Sequence, residues 1–471
     1  MSRVNLFLMA AFLLSGLVGM AYGDPPIDMM KVFGLPLLLS SLSFVPYLFK
    51  DDKPVNKRTG YKLLIASFLY MVIIGSIPFL LSGGMDPIEA LFESMAGFTT
   101  TGLSGMTPEG YEDLGMGLLF YRSLIQWIGG LFYLLVAFMV ISEIMDIGKR
   151  NLDLDMFSRL GLRMDLSNLL FNLSAIYLVF TVVALGLFRL SGMDLFDSVT
   201  LSLGTVSTGG FHSGGARIDA GVGMKLLVVP FMILAGVGYQ VHMSVFSARS
   251  RSRMLFSMEN VTYFLLCLSV PVILFMILVF SGYSPGSSLW KGIFVSISAL
   301  TTTGFMVSGM EEWPESAKFF LLVLMLIGGS SLSVASGFKV RRVYMLATGF
   351  VSDMKRSAHP RAVLPVRTEW GAYSERALES AIVVFFYFFL ALFLSVGFTL
   401  LFEGDILSSI SLCVTAITNS GIAFGGFSEV SGIAGINDLL KFMLVLVMFL
   451  GRFEVLLPLY LFSPRSYTFN G

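Results

Sequence analysis

The chain has 471 residues, 55% of them apolar and only 13% charged, with 31 basic side chains matched by 31 acidic ones and a mean hydropathy of +0.82. A soluble domain carries about 25% charged residues, so this composition excludes a water-soluble enzyme of this size. Zero net charge lacks the basic excess that a nucleic-acid partner leaves, and low polarity with 44 Phe excludes disorder. What remains is an all-α protein of the lipid bilayer. Cys267 and Cys413 lie far apart inside apolar stretches, and His212, His242 and His359 are scattered. Neither a disulfide framework nor a histidine metal centre is expected.

Taken in order, apolar stretches suited to membrane-spanning helices, each about 20 residues, run over 4–22, 32–49, 63–82, 117–142, 169–190, 222–247, 260–281, 318–336, 377–402 and 438–462. The first could be a signal peptide ending at Ala21-Tyr22-Gly23, but it is longer than such a core and is read as a retained span. Shorter Gly/Ser/Thr-rich stretches lie between the later spans, at 86–106, 194–215, 288–309 and 405–427. They are too short and too polar to cross, which marks them as re-entrant. The expected organisation is an N-terminal hairpin (1–52) followed by four span–loop–span repeats at 53–150, 151–254, 255–357 and 358–471.

The four short stretches carry one pattern, a hydroxyl residue directly before a glycine. It reads Thr100-Thr101-Gly102, Ser207-Thr208-Gly209, Thr302-Thr303-Gly304 and Asn419-Ser420-Gly421. Four such segments around one axis would form a ring. Extended backbone with carbonyls turned inward replaces the hydration shell of a cation, and glycine tolerates the unusual φ/ψ this needs. The apolar stretches before them, such as 88–98 and 290–300, would be pore helices whose partially negative C-termini favour a cation. A secondary transporter built on broken helices would show two related halves rather than four equal units. No carboxylate or histidine constellation suggests catalysis.

Charge sorts by side. With the N-terminus inside, the inner segments hold 22 of the 31 basic residues, so ten spans with both termini cytoplasmic is the expected topology. The outer segments are acidic and would concentrate cations at the mouth. Arg452, within the last span, is read as a guanidinium facing the cavity below the ring and limiting flux, with a bundle-internal ion pair as the competing reading. Gln240 and His242 are read as interhelical hydrogen-bond formers. Glu93, Arg122 and Asp197 lie around the outer ends of the pore segments, as solvated interface residues or as an outer, cation-attracting vestibule.

These residues resemble the Trk/Ktr/HKT superfamily of potassium transporters, and within it the TrkH-type subunit. The resemblance rests on the four glycine stretches, on Phe120-Tyr121-Arg122 with Gln126-Trp127-Ile128-Gly129-Gly130, on His359-Pro360-Arg361-Ala362 and on Gly451-Arg452-Phe453-Glu454. It implies potassium uptake across the bacterial inner membrane by a homodimer, with a pore in each protomer. It also implies gating by a cytosolic ring of TrkA-like subunits that alone carry nucleotide. Glycine in all four segments goes with potassium preference in that family; mixed potassium/sodium or sodium-coupled transport is the alternative. A gate is implied at Gly328-Gly329-Ser330-Ser331-Leu332-Ser333-Val334-Ala335-Ser336-Gly337, together with Arg452. The stretch is less glycine-rich than the family pattern, and Gly129-Gly130-Leu131-Phe132 also departs from the family's Gly-Gly-Met-Gly.

Overall fold

Three of the four short pore-side helices start on an aspartate that caps them. The computed structural model describes residues 2–48, 57–106, 114–144, 166–211, 213, 221–245, 255–358, 367–368, 371–372, 375–427 and 435–454. An N-terminal pair, α1 (Ser2–Ala21) and α3 (Leu35–Leu48), is joined by the short α2 (Pro26–Met29) and a π turn at Met30–Gly34. Repeat one comprises α4 (Lys57–Gly75), α5 (Ile77–Leu81), α6 (Pro87–Phe98) and α7 (Met116–Ile144). Repeat two comprises α8 (Leu166–Leu190), α9 (Leu195–Val206), α10 (Val222–Gly236) and α11 (Tyr239–Ser244). Repeat three comprises α12 (Met258–Phe280), α13 (Pro285–Leu300), α14 (Glu315–Ile327) and α15 (Val340–Ala358). Repeat four comprises α16 (Glu375–Thr399), α17 (Ile406–Thr418) and α18 (Asp438–Arg452). Among the described residues, the strands are a two-residue antiparallel pair, β1 (Arg367–Thr368) and β2 (Gly371–Ala372).

The caps explain where the short helices begin. Asp86 forms a capping box with Glu89 ahead of α6. Asp194 accepts from the Phe196 amide at 3.1 Å ahead of α9, and Asp405 from the Ser408 amide at 3.0 Å ahead of α17. Bonds from the Ser408 hydroxyl and amide hold the Asp405 carboxyl below the usual carboxylate range. Ser284-Pro285 opens α13, with proline at the first turn where its missing N–H costs nothing. Each of the three aspartate caps contributes about 1 kcal/mol. Helix α7 is capped from a distance: the Met116 and Gly117 amides donate to Asp24 at 3.1 and 2.8 Å, fastening the N-terminal pair to repeat one.

Among the described residues, six helices are long and apolar enough to cross a membrane. Burial divides them by position. The window in α7 is 72% buried, whereas those in α8, α12 and α16 are 28%, 22% and 22% buried. The exposed faces of these outer helices carry Leu178, Val182, Leu265, Leu268, Met276 and Phe393. Apolar surface on this scale belongs against lipid, and the protein is a multi-pass membrane protein. Two large cores, one built on repeats one and four and one on repeats two and three, share Trp127, Leu326 and Leu392 at their boundary.

Three of the expected spans are not continuous helices. The stretch 222–247 breaks at Val237-Gly238 between α10 and α11, and 318–336 leaves the helix at Gly328. The last helix ends at Arg452 rather than running through Glu454, whose φ is +56°; 455–462 lies outside the described residues. For the first two the physical reason is mutual repair. The Ser330 amide donates to the Gly236 carbonyl at 2.9 Å, and the Tyr239 amide to the Leu332 carbonyl at 3.0 Å. Each break supplies partners for backbone groups the other has freed, which allows irregular chain at membrane depth. The basic segments around 149–163 and 249–253, and the motif His359-Pro360-Arg361-Ala362, also lie outside the described residues.

Candidate functional site

Helices α6, α9, α13 and α17 end alike. In each, a residue turns into the left-handed region: Thr100, Thr208, Thr302 and Asn419, with φ of 54°, 51°, 52° and 50°. The amide of the next residue folds back onto the helix. Thr101 donates to Ala96 O, Gly209 to Gly204 O and Thr303 to Ser298 O, all at 2.9 Å, and Ser420 donates to Thr415 O at 3.2 Å. A positive-φ glycine follows: Gly102, Gly210, Gly304 and Gly421, at 74°, 79°, 87° and 75°. The register drawn from sequence therefore needs one correction. Gly210, not Gly209, is the counterpart of Gly102, and Gly209 corresponds to Thr101, Thr303 and Ser420.

The four segments form a closed cycle. A Cβ added to Gly102 would strike the carbonyl oxygen of Gly209, and one on Gly210 would lie 2.6 Å from the Thr303 oxygen. One on Gly304 would strike the Ser420 oxygen, and one on Gly421 would lie 2.9 Å from the Thr101 oxygen. Each glycine thus lets the backbone carbonyl of the next repeat approach, and the fourth returns to the first. Three segments stiffen themselves with a hydroxyl pair, Thr99–Thr101 at 2.7 Å, Thr301–Thr303 at 2.8 Å and Thr418–Ser420 at 3.0 Å.

The left-handed residues also present oxygen. Among the described residues, Thr100 Oγ1, Thr208 Oγ1 and Asn419 Oδ1 are buried without a protein partner. A buried polar atom left unsatisfied costs about 1–3 kcal/mol, so equivalent orphaned oxygens in three repeats suit a ligand that accepts oxygen donors, a cation. The fourth, Thr302 Oγ1, accepts from the Ser336 amide at 2.8 Å.

Ser336 belongs to the irregular segment 328–339, the expected gate. The segment leaves α14 at Gly328 (φ +74°) and returns at Gly337 (φ +83°), where Phe338 and Lys339 donate back to Leu326 O and Ile327 O at 3.0 and 2.9 Å. Gly328 and Gly337 pack so closely that a Cβ on either would meet the other's Cα within 3 Å. Ser330, Ser333 and Ser336 are buried, and Ser331 donates its amide to Glu259 of α12 at 2.5 Å. On the other side, Arg452 Nη1 donates to the Val334 carbonyl at 3.0 Å and to Ser336 Oγ at 2.7 Å. Its guanidinium lies 4.1 Å from the centre of the Tyr133 ring. A continuous bonded path therefore runs from α18 through Ser336 to Thr302 of the ring. Tyr133 donates to Glu454 at 3.0 Å, and Glu454 pairs with Arg342.

The comparisons with known proteins fit this geometry. A sequence model of TrkH, described as a cation transport protein, matches residues 35–467. The chain belongs to the TrkH family. It is accordingly a transporter and not an enzyme. The chain is 27% identical over 491 residues to the Trk system potassium uptake protein TrkH of Vibrio parahaemolyticus, covering 98% of each. It is 28% identical over 465 residues to the protein of the same name from Escherichia coli strain K12, covering 96% of this chain and 95% of that one. The crystal structure of the potassium transporter TrkH from Vibrio parahaemolyticus superposes with a TM-score of 0.86 at 25% identity, covering 99% of this chain and 97% of that one.

Within this TrkH-family chain the outer residues differ from expectation. Glu93 and Arg122 are each 1% exposed and pair at 2.6 Å, so they are neither solvated interface residues nor an outer, cation-attracting vestibule. Ser104 Oγ and the Gly105 amide also donate to Glu93, at 3.1 and 3.2 Å, and Arg122 lies 4.0 Å from the centre of the Phe211 ring. The cluster clamps repeat one to the chain just after Gly210. Removing one member of a buried pair costs about 3–5 kcal/mol. Glu93→Ala is therefore expected to lower the melting temperature of the detergent-solubilised protein sharply; an unshifted melt would contradict the clamp. Asp197, half-buried, accepts from Ser213 Oγ at 2.5 Å. His242 bonds Leu234 O at 3.0 Å across the α10–α11 break rather than between distant helices, and Gln240 Oε1 has no hydrogen-bond partner among the described residues.

Sequence reasoning named Ser336 in the gate but not its bond to Thr302, and it missed Gln126 and Tyr133 as members of the site. Only Gln126 left a signal, as a polar side chain one turn after Arg122 on the same face of a largely apolar helix.

Proposed function

We propose that this protein is a potassium-translocating subunit of the bacterial inner membrane, with both termini cytoplasmic. Thr100–Gly102, Ser207–Gly210, Thr302–Gly304 and Asn419–Gly421 form its selectivity filter, and residues 328–337 with Arg452 form the gate below. The closed cycle of glycine-to-carbonyl approaches carries this reading. Four equivalent strands within one chain present backbone oxygens around a common centre, which is what a dehydrated monovalent cation requires. The buried oxygens of Thr100, Thr208 and Asn419 support it, as does the name of the Vibrio and Escherichia relatives. The motif resemblance further implies a homodimer under a cytosolic, nucleotide-binding TrkA-like ring, with the potassium ion as cargo.

Expression in a bacterium lacking potassium uptake tests the reading. Growth at low potassium is expected, stronger when the cytosolic subunit is supplied. Absence of growth with the protein present in the membrane would overturn it.

A further inference from the structure

The second filter segment lacks something the other three possess. At the position before the ring glycine, Thr101, Thr303 and Ser420 each carry a hydroxyl bonded to the hydroxyl two residues earlier. Repeat two has Gly209 there, and Ser207 donates instead to its own helix, to Gly204 O at 3.2 Å. The space is filled from another repeat. A Cβ on Gly209 would lie 2.5 Å from Cδ and Oε1 of Gln126, a fully buried residue midway along α7. Gln126 Nε2 donates to the Gly209 carbonyl at 2.6 Å, and its Oε1 accepts from the Phe211 amide at 2.9 Å. That Gly209 carbonyl is the one facing Gly102 in the cycle.

We propose that Gln126 is a selectivity-positioning residue. Its carboxamide, reaching from repeat one, is the strut that the second filter segment lacks, and it sets the orientation of the Gly209 carbonyl. One turn earlier, Arg122 packs on the Phe211 ring, so two residues of α7 on one face hold the same three-residue stretch. The inference rests on the ring being the potassium filter. It adds that filter geometry in repeat two is dictated by a residue outside the filter, and that glycine stands at 209 because Gln126 occupies the side-chain space.

The test reads potassium-over-sodium permeability from bi-ionic reversal potentials of the full-length protein in bilayers, alongside its thermal stability. Gln126→Leu keeps the bulk and loses both hydrogen bonds; the permeability ratio is expected to fall about tenfold, the scale of one or two hydrogen bonds. Gly209→Ser alone displaces Gln126 and is expected to show a similar loss. The double variant Gln126→Ala/Gly209→Ser places a hydroxyl beside Ser207, as in the other three segments, and is expected to recover most of the ratio. A wild-type ratio in Gln126→Leu, or a double variant no better than the singles, overturns the proposal. Gly304→Ser separates the two levels. If it shifts selectivity while the Gln126 variants do not, only the strut fails; if it also leaves the ratio unchanged, the filter reading itself is wrong.

Discussion

Alanine at Gly210 is expected to abolish growth at low potassium, whereas alanine at Gly209 leaves growth and degrades only selectivity. The two glycines are adjacent, yet the structure gives them different duties. Gly210 has φ +79° and the Thr303 carbonyl 2.6 Å from where a Cβ would sit. A non-glycine residue there carries about 1–3 kcal/mol of backbone strain. The collision adds to it, because its target is backbone held in the neighbouring segment and cannot rotate away. Relief requires moving Thr303, and with it the next carbonyl of the cycle. Gly209 has no positive φ, and the atoms its Cβ would meet belong to the end of the Gln126 side chain, which can swing aside at the loss of its two bonds. Growth of complemented cells, with membrane levels checked by immunoblot, distinguishes them. Equal defects at the two positions would restore the register drawn from sequence, in which Gly209 is the ring glycine.

That contrast also shows what is legible in the chain and why. The repeat of a hydroxyl residue before glycine is visible because the backbone conformation admits few residue types, so the four segments and their pore helices follow from composition and spacing. The register in repeat two is not visible, because Gly209-Gly210 satisfies the pattern in either phase. Only the amide of Gly209 returning to Gly204, and the Thr303 carbonyl over Gly210, choose between them. The breaks at Val237-Gly238 and Gly328 are hidden for a related reason. Both stretches are apolar enough to read as spans, and each is stable as irregular chain only because the other supplies hydrogen-bond partners. Glu93 and Arg122 read as surface residues because a lone charge near a helix end ordinarily is one; their pairing depends on α6 and α7 packing face to face. Sequence periodicity carries no record of such long-range matches.

Arg452 is where the structure changes the mechanism most, and its substitution has the second large expected effect. From sequence it is a positive charge in the permeation path. In the fold it also holds Val334 O and Ser336 Oγ of the proposed gate segment, as a latch would, while Ser336 in turn holds Thr302 of the ring. Hydrogen bonds to a charged donor contribute about 1.5–3 kcal/mol each, so losing two shifts a closed-to-open equilibrium by about a hundredfold or more, of which the uptake rate registers at least part. Arg452→Ala is therefore expected to raise the initial rate of potassium uptake into membrane vesicles at least about tenfold, with the cytosolic subunit absent. Arg452→Lys separates charge from latch. Lysine keeps the positive charge but lacks the planar fork that reaches two acceptors while stacking on Tyr133. If the latch dominates, the lysine variant conducts nearly as fast as alanine, and Ser336→Ala raises uptake in the wild-type background but adds little to Arg452→Ala. If the charge barrier dominates, lysine behaves as wild type and Ser336→Ala changes nothing. Uptake unchanged in all three variants would remove Arg452 from the gate altogether. The bonded path from α18 to Thr302 favours the first outcome, because opening would then also release the Thr302 hydroxyl to join the three buried oxygens already free at Thr100, Thr208 and Asn419.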